Sequence, residues 1–249
     1  MSYFTRVLHS LGLKCGVDIR RYNRGQNSRT LDEVQQLRSR LLERHQITLV
    51  LDVGANRGQY AKDLRSIGYL GKIVSFEPMV EAFNELSRIA ALDSKWECRR
   101  TAVGEANKMI TLHVAGNSDS SSLLPMCDRH IAAEPTSKYI AEEAVTLATI
   151  DSLADKLLHE NDAVWLKMDV QGYEMNVLNG ATEILPQVHI IETELSYVPL
   201  YENQPLLCDM VSVLAGLQYD IVATKPAFTD PVTGHVLQAD GLFVRRTRH

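Results

Sequence analysis

The sequence predicts an α/β fold: one large domain with a mostly parallel sheet and helices on both faces. Three observations carry this reading. Apolar runs such as "ITLVLDVG" and "AVWLKMDVQG" are continuous rather than alternating, as expected of strands buried on both faces. Single amphipathic helical segments separate them, which is the rhythm of a parallel sheet. The last two runs, "YDIVATKPAF" and "VLQADGLFVRR", are joined only by the turn-rich "TDPVTG", so the final strand enters antiparallel. A chain of 249 residues can bury one sizeable core.

Taken in order, residues 1–46 read as a helical N-terminal cap and residues 47–249 as the main domain. Tyr3, Phe4, Val7, Leu8 and Leu11 fall at helical spacing, and Gly25 within "RYNRGQNS" breaks the pattern. Thr30 followed by Glu33 forms a capping box that opens a second helix, with Leu31, Val34, Leu37 and Leu41 on one face. From Ile47 onward strands and helices alternate. "ITLVLDVG" is a buried strand, and residues 58–67 form a helix that turns Ala61, Leu64 and Ile67 inward. "KIVSFEP" is the next strand, stopped by Pro78, and the helix after it carries Phe83, Leu86 and Ala90 on one face. "WECRRTAVG" reads as the third strand. Residues 105–145 read as an insertion, with an extra strand at "KMITLHVAG" and a polar loop at "NSDSSSLLP"; "VTLATI" then leads into a helix near Asp151. The alternation resumes with "AVWLKMDVQG", a helix over 173–185, the strand "VHIIETELS" and the helix "LCDMVSVLAGLQ".

Composition narrows the function classes. No apolar run reaches the roughly 18 residues of a membrane span. The opening "MSYFTRVLHSLGLKCG" lacks the unbroken apolar stretch and cleavage site of a secretory signal. Cys15, Cys98, Cys127 and Cys208 lie far apart without a C-x-x-C pair, which argues against a zinc cluster or disulfide framework. That usage suits a reducing cytoplasm, with peripheral membrane contact left open. The net charge of −5 is uneven: the first 46 residues carry nine Lys/Arg against four acids, which leaves −10 on the remainder. Nucleic acid is not an expected partner, because an enzyme acting on it is more often basic throughout. The basic segment faces either an anionic substrate or a membrane surface, or it is a solvated helical cap.

The stretch "LVLDVGANRGQY" carries the chemistry. In an open parallel sheet, ligands sit outside the carboxyl ends of the strands, so the loop after the first strand is the expected site. Gly54 and Gly58 allow backbone to pass close to a ligand. The phosphate-cradling pattern G-x-x-x-x-G-K-[ST] is absent, and Asn56 stands where the dinucleotide pattern G-x-G-x-x-G has its second glycine. Asp52, two residues before Gly54, would repel a pyrophosphate and welcome a cationic amino-acid tail. Glu77, ending "SFEP", can accept hydrogen bonds from both hydroxyls of a ribose. A ligand with an ammonium, a ribose and no phosphate fits S-adenosyl-L-methionine.

The segments "LDVGANRGQY", "SFEP", "TAVG", "SDSSSL", "LKMDVQGYEMNVLNGA" and "IIETELS", in this order, resemble the class I S-adenosylmethionine-dependent methyltransferases and, within them, the FkbM family. The resemblance runs from about Ile47 to Val244. It implies the Rossmann-like class I methyltransferase fold, with seven strands and a final antiparallel one. It also implies that Asp52, Gly54, Ala55, Asn56, Gly58 and Tyr60 hold the cofactor, together with Glu77, Pro78, Ala102 and Val103. From its place at the carboxyl end of "LKMDVQG", Asp169 reads as facing the cofactor's methyl group or the acceptor. The family is associated with O-methylation of sugars and polyketide-type natural products, so a small-molecule or saccharide acceptor, lipid-linked ones included, is expected. Gln171 departs from the pattern, because the family usually places a glutamate there.

Lys167 and Asp169 at the carboxyl end of "LKMDVQG" are unusual in an otherwise apolar strand. Lys167 reads either as catalytic or as a buried ion-pair partner. Glu192 and Glu194 point the same way along the next strand, and Glu194 lies nearer the open end. Asp169 and Glu194 are the candidate catalytic carboxylates, with one as base, or both holding a Mg2+ that acidifies the acceptor hydroxyl. Ser121, Ser122 and Gln171 are candidate acceptor contacts, while His113, His130 and His189 read as solvated or structural. A nicotinamide-dependent oxidoreductase and a non-catalytic S-adenosylmethionine-binding protein are the rival readings. The sequence leaves the oligomeric state open, a homodimer included.

Overall fold

The computed structural model describes residues 33–246. The expected first helix, the break at Gly25 and the Thr30 side of the capping box lie outside those residues. Helix α1 (Glu33–Arg44) buries Leu41 and Leu42, and Leu37 packs against the cluster they share with Ile47, Ala61 and Trp165. Among the described residues, no helix is long and apolar enough to cross a membrane.

The expected sheet is present. Strands β1 (Leu49–Val53), β2 (Lys72–Phe76), β3 (Trp96–Arg99), β7 (Val164–Met168) and β8 (Val188–Ser196) run parallel. The long strands β9 (Tyr219–Thr229) and β10 (Val236–Arg245) close it as a hairpin. The order is β3-β2-β1-β7-β8-β10-β9, and β10 is antiparallel to both of its neighbours. The chain winds outward from β1 to β3 and then returns to place β7 on the other side of β1. The carboxyl ends of β1 and β7 therefore form the switch point where such sheets bind ligands.

Every residue of β1 is buried, and the strand's period of two divides them between two cores. Leu49, Leu51 and Val53 face a cluster with α5 (Ile150–Leu157), α6 (Glu174–Asn179) and α7 (Leu207–Gly216). Val50 faces the other cluster, with α1, α2 (Gln59–Ser66) and α3 (Val80–Ala90). Asp52 shares the parity of Val50, so its carboxylate lies on the side of α1 and α2.

Two expectations change. "WECRRTAVG" is not one strand: Thr101 N–H turns back onto the Arg99 carbonyl at 3.0 Å, and Ala102–Val103 forms β4 in a second sheet. The polar "RRT" at its centre marks the break. The region read as an insertion builds the rest of that sheet, in the order β4-β6-β5, from β5 (Lys108–Ala115) and β6 (Tyr139–Ala148). Its apolar face (Leu112, Val145, Leu147) closes on Met79, Ala82 and Tyr173. A short helix, α4 (Asp128–Ala133), lies between β5 and β6. Helix α6 stops at Asn179, well short of residue 185, because Gly180 presses on β4's end. A Cβ there would lie 1.9 Å from the Gly104 carbonyl oxygen.

Candidate functional site

A cavity of about 440 Å³ opens at the carboxyl ends of β1, β2, β7 and β8, roofed by β4 and the serine-rich loop. Of the residues singled out from the sequence, Gly54, Ala55, Asn56, Tyr60, Glu77, Pro78, Ala102, Val103, Ser121, Ser122, Lys167, Asp169, Gln171 and Glu194 line it. Asp52 and Gly58 sit behind its wall.

The turn after β1 is fixed by the sheet. Gly54 and Ala55 both donate their N–H to the Phe76 carbonyl at 3.0 Å, and Asp169 N–H donates to Val53 O at 3.0 Å. Gly54 is left-handed (φ 76°), and a Cβ there would fall 1.8 Å from the Asp169 carbonyl oxygen. Gly58 (φ 80°) opens α2, and a Cβ there would press on Leu86 and Trp96 at 2.9 Å. Both glycines are thus demanded by protein neighbours, whereas the sequence suggested close approach of a ligand.

Behind the turn, Ser75, Asp52, Lys167 and Glu192 stand in register on β2, β1, β7 and β8. The sequence placed Asp52 against a ligand's ammonium. Its parity instead turns it under α2, where Ser75 Oγ donates to it at 2.9 Å and Lys167 Nζ lies 3.3 Å away as an ion pair. Lys167 also donates to the Gly54 carbonyl at 3.0 Å and lies 3.5 Å from Asp169 Oδ2. Burial alone would lower its pKa, but Asp169 and Asp52 outweigh that and hold the ammonium above its usual range. Lys167 is therefore a fixed cation rather than a base. Glu192 receives the Tyr60 hydroxyl at 2.7 Å and the Arg38 guanidinium, whose Nε donates at 3.0 Å. Arg38 and Lys167 lie 5.0 and 5.4 Å from the centre of the Tyr60 ring, on which both cations rest.

Glu77 is buried at the end of β2. One carboxylate oxygen accepts Asn56 N–H and the other Met79 N–H, each at 2.8 Å. Burial pushes its pKa up to about 7 against the pull of those donors. Asn56 is left-handed (φ 45°) and donates its Nδ2 to Asp119 at 2.6 Å. Its Oδ1 is buried and, among the described residues, without a hydrogen-bond donor.

On the far side, Asp169 and Glu194 share one donor. Gln171 Nε2 lies 2.9 Å from Asp169 Oδ1 and 2.8 Å from Glu194 Oε2. Gln238 Nε2 adds a second bond to Glu194 at 3.1 Å. Burial, then Asp169 and Glu174, raise the Glu194 pKa well above the usual carboxylate range. Asp240, opposite Glu194 in the β8–β10 pairing, is raised to about 6 by burial and by Asp169. This donor set does not fit the expected Mg2+. An amide nitrogen, not an oxygen, stands between the two carboxylates. Among the described residues, no group of three or more His, Cys, Asp or Glu is placed to hold a metal. Ser122 Oγ donates to the Gln171 carbonyl at 2.7 Å, and Ser121 Oγ accepts Ala115 N–H at 3.0 Å, so both serines shape the wall.

Sequence reasoning missed Arg38, Asp119, Tyr201, Gln238 and Asp240. A signal existed for two of them: Gln238 and Asp240 are polar at i and i+2 within the apolar "VLQADGLFV". Glu192 and Glu194 share one face, as the sequence indicates, and both reach the cavity.

Residues 52–221 match the model of the methyltransferase FkbM domain. The chain is similar to the 2-O-methyltransferase NoeI of Sinorhizobium fredii (strain NBRC 101917 / NGR234), at 24% identity over 72% of this chain and 74% of that protein. Among solved structures, TehB from Haemophilus influenzae aligns at a TM-score of 0.47 and 9% identity, over 88% of this chain and 64% of that one. The Burkholderia thailandensis 1,6-didemethyltoxoflavin-N1-methyltransferase, with 1,6-didemethyltoxoflavin and S-adenosylhomocysteine bound, aligns at 0.45 and 11% identity over 98% and 89%.

Proposed function

The chain belongs to the FkbM methyltransferase family, and from that premise we propose that it transfers a methyl group from S-adenosylmethionine to a hydroxyl of a sugar, glycolipid or polyketide-type acceptor. The observation that carries the cofactor reading is Glu77. A buried carboxylate at the end of β2, anchored by two backbone N–H groups, keeps lone pairs free for two ribose hydroxyls. The buried, unmet Asn56 Oδ1 supplies a further acceptor in the same turn. Seven carboxylates line the cavity against three cationic side chains, which favours a sulfonium and an ammonium over the pyrophosphate of a nicotinamide cofactor. The named activity of NoeI supports oxygen as the methylated atom.

Glu77 and the Asn56 turn would hold the cofactor, which would supply a methyl group activated by its sulfonium. The chain's own work is alignment and removal of the hydroxyl proton. Asp169, held between Lys167 and Gln171, takes that proton on its carboxylate. Glu194, beside it across Gln171, anchors the acceptor by a hydrogen bond. Lys167 fixes the Gly54 carbonyl and Asp169 relative to one another.

Isothermal titration tests the reading. S-adenosylhomocysteine is expected to bind with a stoichiometry of one and NADH not at all. Binding of NADH in place of S-adenosylhomocysteine would refute it. Turnover on a panel of oligosaccharide and glycolipid acceptors then identifies the substrate.

A further inference from the structure

We infer that Gln171 occupies, with its side-chain amide, the position a divalent cation would take between Asp169 and Glu194, and that Tyr201 fixes that amide in the required sense. The pair then operates without a metal. The consequence for catalysis rests on the methyl-transfer reading, whereas the consequence for metal binding does not.

An amide can present either its oxygen or its nitrogen, and the neighbours decide which. Tyr201 is fully buried and donates its hydroxyl proton to Gln171 Oε1 at 2.7 Å; the alternative acceptor, the Ser120 carbonyl, is farther at 3.1 Å. With its oxygen engaged, the amide turns its NH2 toward the two carboxylates, and each receives one N–H. The backbone is committed to the same end. Gln171 is left-handed (φ 55°), a conformation that a glutamine rarely adopts, and its carbonyl is held by the Ser122 hydroxyl at 2.7 Å. Gly172 follows at φ 96°, where a Cβ would crowd the Cβ atoms of Gln204 and Tyr201 at 3.1 and 3.2 Å. Gln238 on Glu194 and Lys167 beside Asp169 answer the remaining charge. Two carboxylates this close would repel if bare, and three donors from the protein remove the need for a cation. Gln171 and Tyr201 are thus positioning residues.

The test uses the full chain and Mn2+ followed by electron paramagnetic resonance, with S-adenosylhomocysteine affinity measured in parallel. The wild-type chain is expected to leave Mn2+ free. Gln171→Glu, which places a third carboxylate oxygen between the other two, is expected to bind Mn2+ at least about tenfold more tightly than wild type. That gain should vanish when Asp169→Asn is added. Mn2+ binding by the wild type that Asp169→Asn removes, or no gain in Gln171→Glu, would overturn the inference. Failure of S-adenosylhomocysteine to bind would strike only the reading of function. A second readout covers a Gln171→Glu chain that does not fold. In nitrogen-15 spectra, the side-chain NH2 of Gln171, assigned by its loss in Gln171→Met, should be displaced from free-amide positions and should return toward them in Tyr201→Phe. An NH2 signal at the free-amide position in the wild type would also overturn the inference.

Discussion

Lys167 stands directly across the β1–β7 pairing from Asp52, with its ammonium 3.3 Å from that carboxylate and 3.0 Å from the Gly54 carbonyl. One side chain thereby ties the sheet to the turn that shapes the cavity. Removing it should expose how much depends on the tie. Lys167→Met leaves Asp52, which is fully buried, without its cation, and should destabilise the chain by about 3–5 kcal/mol. Adding Asp52→Asn should recover part of that loss, because the uncompensated charge is gone. Urea unfolding of the two variants checks this, and a double variant no more stable than the single one would speak against the pairing.

Glu77→Gln should weaken S-adenosylhomocysteine binding by about 1.5–3 kcal/mol, the scale of hydrogen bonds to a charged group. The neutral variant should also lose the wild type's gain in affinity as pH rises through about 7, where Glu77 ionises. Titration calorimetry at pH 6 and pH 8 separates the two effects; an unchanged affinity at both would remove Glu77 from the binding site.

Stability itself should fall with rising pH over a defined window. Burial raises Glu77 and Glu174 from 4.5 to about 7, so the folded chain keeps these protons to higher pH than the unfolded chain does. Their contribution is full below about 4.5 and is lost as pH passes about 7. Glu174 accepts Val170 N–H and Gly172 N–H through one oxygen, an arrangement that glutamine can keep. Glu174→Gln should therefore flatten the pH dependence by up to roughly 3 kcal/mol. Denaturant melts at pH 5 and pH 8 report it, and equal slopes for wild type and variant would contradict the burial argument.

Gly54→Ala should cost at least about 2–3 kcal/mol, from left-handed backbone plus the clash with the Asp169 carbonyl. Because the clash pushes on Asp169 itself, turnover on any accepted hydroxyl should fall further than cofactor affinity does. Equal losses in the two would mean that the strain stays local to the turn.

How far the sequence could be read follows from strand geometry. Parity along a strand shows that Asp52 and Val53 face opposite ways, and the apolar runs reveal the parallel sheet. Parity does not show which face a helix covers, so it does not reveal that Asp52 is fully buried between Ser75 and Lys167. Register between strands is equally silent in the sequence. The Ser75–Asp52–Lys167–Glu192 row exists only once four strands have aligned. Arg38 meets Glu192 across 154 residues, and no local pattern announces such a pair. Gln171 stands out in the sequence, but Tyr201, whose hydroxyl sets the amide's sense, meets it only when the loop after β8 folds back.

Arg38 carries one more consequence. The family match begins at residue 52 and ends at 221, yet Arg38 lies ahead of it and Gln238 and Asp240 lie beyond it. The stretch matched by the family model and the stretch that lines the cavity thus have different edges. A chain trimmed to the matched borders would lack both Arg38, the guanidinium partner of Glu192, and strand β10 paired beside it. Both flanks contribute cavity-lining side chains, Arg38 on one and Asp240 on the other, away from the turn at Gly54.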